Sequence, residues 1–549
     1  MKLNKLFFTA GLAALAMSSC TDLDVTIPSQ YTEDPSKEGG IDEMLVVEAK
    51  MADLYYHLSG CLGRRYMEAQ ALASDEFTCL AFDGGYYDSG TYAHTALHCN
   101  TEEDATLDWY SDVTAGITKA NTILAELGSG ASVKMTAPAR AIRAYYTWIL
   151  MDNFGDTPIL EKVPAEGEQV DRKPRKEVAL WLEKELNAII PELTTEVNAN
   201  TYGKPTRWMA EALLAKLYIN WPVYTADAVE NYDAATAVNE KLDECIACCN
   251  HIKEAKFDEK VLFSLGSMEY RFKFAPDNGP QVEDFIYAMP YDAIDRAGMQ
   301  YARPRTFKQM KNMLPNYYGS TDKFTQSFGG NMVVTPEFAK LFSLEGDQRN
   351  LSILKDKVFN RDSKTLLPTD IPFMYNDKQV TFTRDIHLIK QDNTIDVGGD
   401  DEGIMQGYHS IKWFIVPNDY NNGRNQSNDV PIFRYADILL TKAEAIIRKG
   451  DSKDAAEAME AFNEVRRYAK APELTTAPTL EDILDERGRE LFDENWRRND
   501  LIRFGKFEGE FFPHYTNFPD ANFDKRHRIF PIEKEMLDLN PNWVQNPGY

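Results

Sequence analysis

The chain lacks a second long hydrophobic run. Its one apolar stretch lies near the start, between Leu6 and Met17, and nothing after it approaches the roughly 20 residues that a membrane-crossing helix needs. It also lacks basic charge: 60 Lys and Arg stand against 86 Asp and Glu, a formal net charge of −26. That balance argues against a nucleic-acid partner and against adhesion to an anionic membrane, both of which call for clustered cations. Histidine is scarce, with 8 scattered residues. No His-Glu-x-x-His helix, Gly-x-Ser-x-Gly turn or glycine-rich phosphate loop occurs, so zinc hydrolysis, serine-nucleophile chemistry and nucleotide binding have no support. Abundant carboxylates leave a glycosidase-like acid pair open, because two acids about 5 to 10 Å apart have no fixed sequence spacing. Solvated acidic faces explain the same residues more simply.

Cysteine is sparse as well. Beyond Cys20 there are Cys61, Cys79, Cys99, Cys245, Cys248 and Cys249. Disulfides are permitted in a secreted chain, but sequence alone does not pair them, and a chain of this length buries enough core without them. Cys245 and Cys248 have the spacing of a redox or zinc pair, yet they fall in a helical run with no second ligand pair, so buried structural thiols are the simpler reading.

What the sequence does have begins at its start. Lys2 and Lys5 precede the short apolar run, and Ser18 and Ser19 lead into Cys20, the pattern of a secretory signal over 1–19 with a lipid-modified cysteine. Met17 stands where a lipobox usually has leucine. Residues 20–40, polar with Pro28, Pro35, Gly39 and Gly40, read as a flexible tether. Apolar residues then recur at helical spacing. Ala137, Ala141, Ala144, Tyr145, Trp148 and Ile149 form one stripe ending near Phe154 and Gly155, and similar stripes predict helices over 42–59, 104–127, 174–193, 204–222, 236–252, 432–449, 453–469 and 479–496. Small alanines at close crossings suggest tetratricopeptide-type pairs, although no 34-residue consensus repeat is visible. From about 257 to 431 the pattern turns irregular, with short strand candidates at 285–289, 380–382 and 411–416.

The most specific features lie in the last third. The run from Arg434 to Ala445, reading Arg-Tyr-Ala-Asp-Ile-Leu-Leu-Thr-Lys-Ala-Glu-Ala, is followed by Asn463 to Arg466, Glu486 with Arg487, Glu490 with Leu491, and Asp500 to Gly505. Ile529 to Ile532 and the closing Asn-Pro-Asn-Trp-Val-Gln-Asn-Pro-Gly-Tyr from Asn540 to Tyr549 complete the order. This order of motifs resembles the SusD/RagB family of surface nutrient-binding lipoproteins, with Glu533 in place of a more usual proline. Segments Trp109 to Asn121 and Arg140 to Ile159 also look like the family's recurrent stretches. The resemblance implies a mainly α fold, one domain over 41–549, in which a tetratricopeptide-like scaffold at about 41–256 and 432–549 carries a loop-rich insert at about 257–431. It implies a binding protein with no catalytic residues and no cofactor, lipid-anchored through Cys20 to the outer face of the outer membrane. Such a protein captures oligosaccharide and hands it to a SusC-like TonB-dependent transporter. A RagB-like peptide-capture protein and a surface glycoside hydrolase are the alternatives.

Candidate ligand groups are aromatics on loops, which can stack on sugar rings. Tyr86, Tyr87 and Tyr92 crowd a glycine-containing loop, while Tyr291 and Tyr301 punctuate the insert, with Arg296 and Asn278 as hydrogen-bond donors. Packing into the insert's own core is the competing role for each ring. Asp392, Asp396, Asp400, Asp401 and Glu402 offer oxygen ligands for Ca²⁺ but lack calcium-loop spacing, which favours a solvated loop. Arg487 falls on the apolar stripe marked by Leu484 and Leu491, where a lone charge is expensive, and Glu444 on the inward stripe of its own helix is the expected structural partner.

Overall fold

Small residues decide where the helices touch. In the computed structural model, which describes residues 51–84, 90–389, 395–450, 453–509 and 523–549, the principal helices are α1 (Arg65–Leu72), α2 (Tyr110–Leu127), α3 (Val133–Phe154), α4 (Arg175–Ile189), α5 (Arg207–Ile219), α6 (Leu242–Lys253), α7 (Tyr435–Lys449), α8 (Ala455–Ala469), α9 (Leu480–Glu490) and α10 (Arg497–Phe504). They pack as neighbours in order: α2 on α3, α3 on α4, α5 on α6, α6 on α7, α7 on α8 and on α9, and α9 on α10. At the α2–α3 crossing Gly116 admits the Tyr146 ring, and a Cβ there would collide with it. Every residue from Ala141 to Phe154 is buried. A helix enclosed on all faces is the centre of a bundle, and Gly155, at φ 73°, ends it. Thr479 caps α9 in a reciprocal box with Asp482, which fixes where that helix starts. The signal segment, Cys20, the tether and the first half of the first expected helix, 42–50, lie outside the described residues.

The expected helices are present with altered ends. The stretch expected over 204–222 breaks after Ile219 and resumes as a short turn, Trp221–Thr225, with Pro222 in its first positions, where a missing N–H costs nothing. The 479–496 stretch stops at Glu490, since Asp493 and Asn495 take positive φ. The 236–252 helix starts only at Leu242, and the 104–127 helix starts at Tyr110. The expected start at 432 is instead the end of strand β4. Four strands frame the junction between scaffold and insert: β1 (Phe77–Cys79), β2 (Phe285–Met289), β3 (Met332–Val334) and β4 (Val430–Arg434). β1 pairs antiparallel with β3, Phe77 opposite Val334. β2 pairs antiparallel with β4, Val430 opposite Met289, with register shifts around Phe433. The strand expected over 380–382 is present at Thr381–Phe382. The one expected over 411–416 is not: the ladder is confined to His409–Ser410, and the following residues are buried as irregular chain, with Lys412 turned toward Glu494.

A buried ionic network joins the helices to the insert. Arg434 reaches Asp284 at 2.6 Å, Glu490 at 2.9 Å and Glu494 at 2.7 Å, while Lys273 also holds Asp284 at 2.8 Å. Arg349 spans Asp347, Glu486 and Glu490. Arg487 is indeed enclosed and paired, but not with Glu444. Its Nη1 donates to Asp437 and its Nε to Asp500, both at 2.8 Å, and Glu444 instead accepts from Arg503 at 2.7 Å and Arg448 at 2.7 Å. The reason is spacing. Asp437 and Glu444 are two turns apart on one face of α7; Arg487 on α9 takes the first, and Arg503 on α10 takes the second. Asp500, 2.7 Å from Arg503, links the two pairs.

Candidate functional site

The insert builds its own core. Phe307, at 0% exposure, meets Phe373, Tyr375 and Phe382 edge to face at 6.4, 5.8 and 5.5 Å between ring centroids, separations at which aromatic pairs attract. Phe328 stacks on Tyr420 at 4.1 Å. The first half of the chain contributes to the same core through Phe77, Leu80, Phe82 and Tyr92.

That packing decides the fate of the candidate rings. Tyr92 is completely buried within this core, so it is a packing residue. Tyr291, 4% exposed, donates its hydroxyl to the Ser59 carbonyl at 2.7 Å. Tyr301, 0% exposed, accepts from Asn495 at 2.9 Å and lies edge to face on Trp413 at 5.3 Å. The hydroxyls of Tyr291 and Tyr301 are satisfied inside the protein and the faces of all three rings are covered, which removes them from a ligand surface. Asn278 is also structural: its Nδ2 donates to the Lys273 and Asp429 carbonyls at 2.8 and 3.0 Å, and its Oδ1 accepts the Asp429 N–H at 2.7 Å. Arg296 alone of the described candidates is exposed, its guanidinium 5.8 Å from the Tyr56 ring centroid. Tyr86 and Tyr87 lie outside the described residues.

The structure does show where their loop is rooted. Ala81 bridges Asp396, with the Ala81 N–H donating to Ile395 and the Val397 N–H to Ala81. The N–H groups of Asp83 and Gly84, successive residues at φ 55° and 75°, turn onto the Asp396 carboxylate, which also accepts the Gly398 N–H at 2.9 Å. Convergent N–H groups of this kind make a small anion-holding concavity. Asp83 in return accepts the Gly399 N–H at 3.0 Å. The acidic loop considered for Ca²⁺ is thus stitched to the aromatic loop, and the Asp396 oxygens are occupied by backbone donors. Asn376 donates to Asp401 at 3.1 Å. Among the described residues no group of three or more His, Cys, Asp and Glu side chains is placed to hold a metal ion; Asp392 lies outside them.

Lys308 completes this surface. Its ammonium sits 4.3 Å from the centroid of Phe82, and burial lowers its pKa against the opposing pull of Asp83. Ring, ammonium, carboxylates and amide are brought together from positions 82, 83, 308, 376 and 401. Such groups exchange hydrogen bonds with hydroxyls and carry no evident nucleophile. Lys308 had no signal in the sequence, because its role depends on a chain crossing more than 200 residues away. Glu76 and Asp493, an acid pair with raised pKa values, are enclosed at 1% exposure each, with Asp493 held by Arg305 at 2.7 Å. Substrate has no access to them.

The described cysteines form no disulfide. All six described are free thiols, buried apart from the half-buried Cys99, and burial raises Cys248 beyond the range in which a thiolate forms at neutral pH.

Comparisons with known proteins add the following. The model of the SusD family matches residues 283–549, and a second, described as starch-binding associating with outer membrane, matches residues 24–219. Among curated proteins the chain is similar to the starch-binding protein SusD of Bacteroides thetaiotaomicron, 23% identical over 478 residues, which cover 80% of this chain and 76% of that one. Among solved structures it is similar to surface glycan-binding protein A from Bacteroides uniformis, with 18% identity and a TM-score of 0.67 over 91% of this chain and 98% of the other. It is also similar to surface glycan-binding protein A from Bacteroides thetaiotaomicron in complex with laminarihexaose, with 17% identity and a TM-score of 0.66 over 91% and 98%. At these identities the structural likeness shows the fold.

Proposed function

The chain belongs to the SusD family, and from that premise we propose that it captures oligosaccharide at the cell surface and passes it to a SusC-like TonB-dependent transporter, acting as a lid on that barrel. The observation that carries this reading is the likeness along most of the chain to proteins named for starch and glycan binding. Cys20 is the proposed lipid attachment point on the outer face of the outer membrane. No helix among the described residues is long and apolar enough to cross a membrane, in keeping with attachment through lipid and with the need for a partner to move the solute. The protein binds and does not cut, in keeping with relatives named for glycan binding, and the insert surface offers hydroxyl-binding groups.

The proposed glycan surface is the rim around Phe82, Asp83 and Lys308, with Tyr86 and Tyr87 as stacking rings. A capture protein must release its cargo, so an affinity in the micromolar to millimolar range, about −8 to −4 kcal/mol, suits it. Stacked rings contribute on the order of 1 kcal/mol each beyond area burial. A glycan and peptide array on the purified protein tests the reading. Oligosaccharide hits that the Tyr86→Ala, Tyr87→Ala double variant loses, at an unchanged melting temperature, support it. Peptide hits alone move the protein to a RagB-like role, and new reducing ends after incubation with glycans reject the non-enzymatic assignment.

A further inference from the structure

Enclosed arginines in this molecule are matched by carboxylates almost everywhere: Arg305, Arg349, Arg434, Arg487 and Arg503 each hold at least one at 3.2 Å or less. Arg361 is spent on the Leu366 and Leu351 carbonyls instead, and Arg175 also breaks the pattern. It is 6% exposed, its Nη2 donates to the Val223 carbonyl, and its guanidinium lies 5.9 Å from the Tyr224 ring centroid. No carboxylate stands within ion-pair distance of it among the described residues. Burial pulls its pKa down to about 10, the mark of a cation short of counter-charge.

Arg175 lines a cavity of about 400 Å³, at the N-terminus of α4 and bounded by the 226–230 loop, Ile529 and Pro547. Small-molecule pockets begin at about 300 Å³, so a monosaccharide or disaccharide fits. In the first turn of α4 the Arg175 N–H is taken by Asp156 at 2.9 Å. The N–H of Lys176 has no partner among the described residues, and the Lys176 side chain is exposed at the cavity's lip. A helix N-terminus with a free N–H beside an unmatched guanidinium selects an anion. The other charges facing the cavity are Arg526, tied to Asp524, and Asp156, Asp227 and Glu230. Asp227 and Glu230 are exposed and suited to accept hydrogen bonds from hydroxyls. Ile529, Ala226 and Pro547 form an apolar wall. The larger cavity, about 490 Å³ beside Arg448 and Arg503, lacks this feature because both arginines are spent on Glu444.

We propose that this cavity is a second binding site, on the helical scaffold, for a sugar acid: a hexuronate or the uronate residue of a longer glycan, with its carboxylate on Arg175 and the Lys176 N–H and its hydroxyls on Asp227 and Glu230. The inference does not rest on the glycan surface of the insert. Titration calorimetry of the purified protein with sodium D-glucuronate, D-glucose and sodium sulfate tests it. Glucuronate binds at least ~10-fold more tightly than glucose or sulfate, because only it presents both the charge and the hydroxyls. Ala228→Phe, which fills the cavity from its loop, and Lys176→Glu, on the exposed lip, each weaken glucuronate with an unchanged melting temperature, by about 10-fold and about 3-fold respectively. Arg175→Gln removes binding; should it unfold the protein, the two loop and lip variants still decide. Glucuronate no tighter than glucose, sulfate as tight as glucuronate, or glucuronate binding that survives Ala228→Phe overturns the proposal.

Discussion

Around Arg434 the interior is ionic, and around Phe307 it is aromatic. The first region draws Asp284, Glu490, Glu494, Lys273 and Arg349 into one contiguous set of charge pairs. The second surrounds a fully buried phenylalanine with rings from distant segments. Ion pairs are directional and demand fixed partners, so substituting one member strands the others. Aromatic packing asks for volume and shape and tolerates exchange of similar residues. The helical scaffold can therefore be read as a rigid frame and the insert as the part free to vary around its ligand.

The sharpest way to break this comparison is to remove the ionic hub. Arg434→Met leaves three carboxylates without their shared cation and should cost about 3 to 5 kcal/mol, read as a lowered urea midpoint. A loss below about 1 kcal/mol would mean that the remaining lysines and arginines neutralise the site unaided, and the frame would not be ionic in any energetic sense.

Acid probes the same region without a mutation. Burial alone would raise Glu486, but Arg349, Arg489 and Arg466 outweigh it and hold its pKa at about 2. Desolvation is likewise outweighed at Asp284 by Lys273 and Arg434, and at Asp500 by Arg487 and Arg503. A folded pKa below the unfolded value, near 4, gives stability that is complete above about pH 5 and lost as pH falls toward 2. For Glu486 that is about 3 kcal/mol. Asp429 works in the opposite sense. Burial pushes it up to about 6, so its contribution grows as pH drops from above 6 to about 4. Urea midpoints from pH 7 to pH 2.5 should pass through a maximum near pH 5 and then fall steeply. A flat acid limb would show that the buried pairs add nothing.

These two regions also differ in how much the sequence reveals of them. Asp437, Glu444, Glu486, Arg487, Glu490, Asp500 and Arg503 lie in helical stretches, and their need for partners follows from their charge, so the scaffold is legible before any coordinates. The partner of Glu444 is not, because α9 and α10 each bring an arginine to α7 at sites two turns apart, and only their packing assigns them. In the insert the strands are two to five residues long, too short for alternation to show, and their partners range from a local hairpin, Tyr375 opposite Lys378, to the distant pairing of Phe77 with Val334. Tyr92, Tyr291 and Tyr301 occupy loop-like sequence and are buried all the same. A tyrosine carries both a large apolar face and a hydroxyl, and composition does not tell whether the hydroxyl meets water or a carbonyl such as that of Ser59.

The aromatic region should yield more gently. Phe307→Leu keeps an apolar side chain of nearly the same reach and should cost about 1 kcal/mol, a loss clearly smaller than that of Arg434→Met under the same conditions. If it instead matched the arginine variant, the insert's core would be as exacting as the frame, and its supposed freedom to vary would be gone.

The smallest effect is expected at the insert's rim, where stability and binding should separate. Lys308 is exposed, makes no ion pair among the described residues, and rests over Phe82. Away from buried features a surface substitution stays within about 0.5 kcal/mol, so Lys308→Ala should leave the urea midpoint almost unmoved. Its ammonium can still donate to a sugar hydroxyl beside Phe82 and Asp83, a charge-assisted bond that water competes for. Its loss should weaken oligosaccharide binding about 3- to 10-fold, equivalent to roughly 0.7 to 1.4 kcal/mol. A melting-temperature control and a titration with the best array hit are sufficient. Weakened binding with intact stability places ligand recognition on the region that carries no frame; unchanged binding moves the glycan surface away from Phe82 and Lys308 altogether.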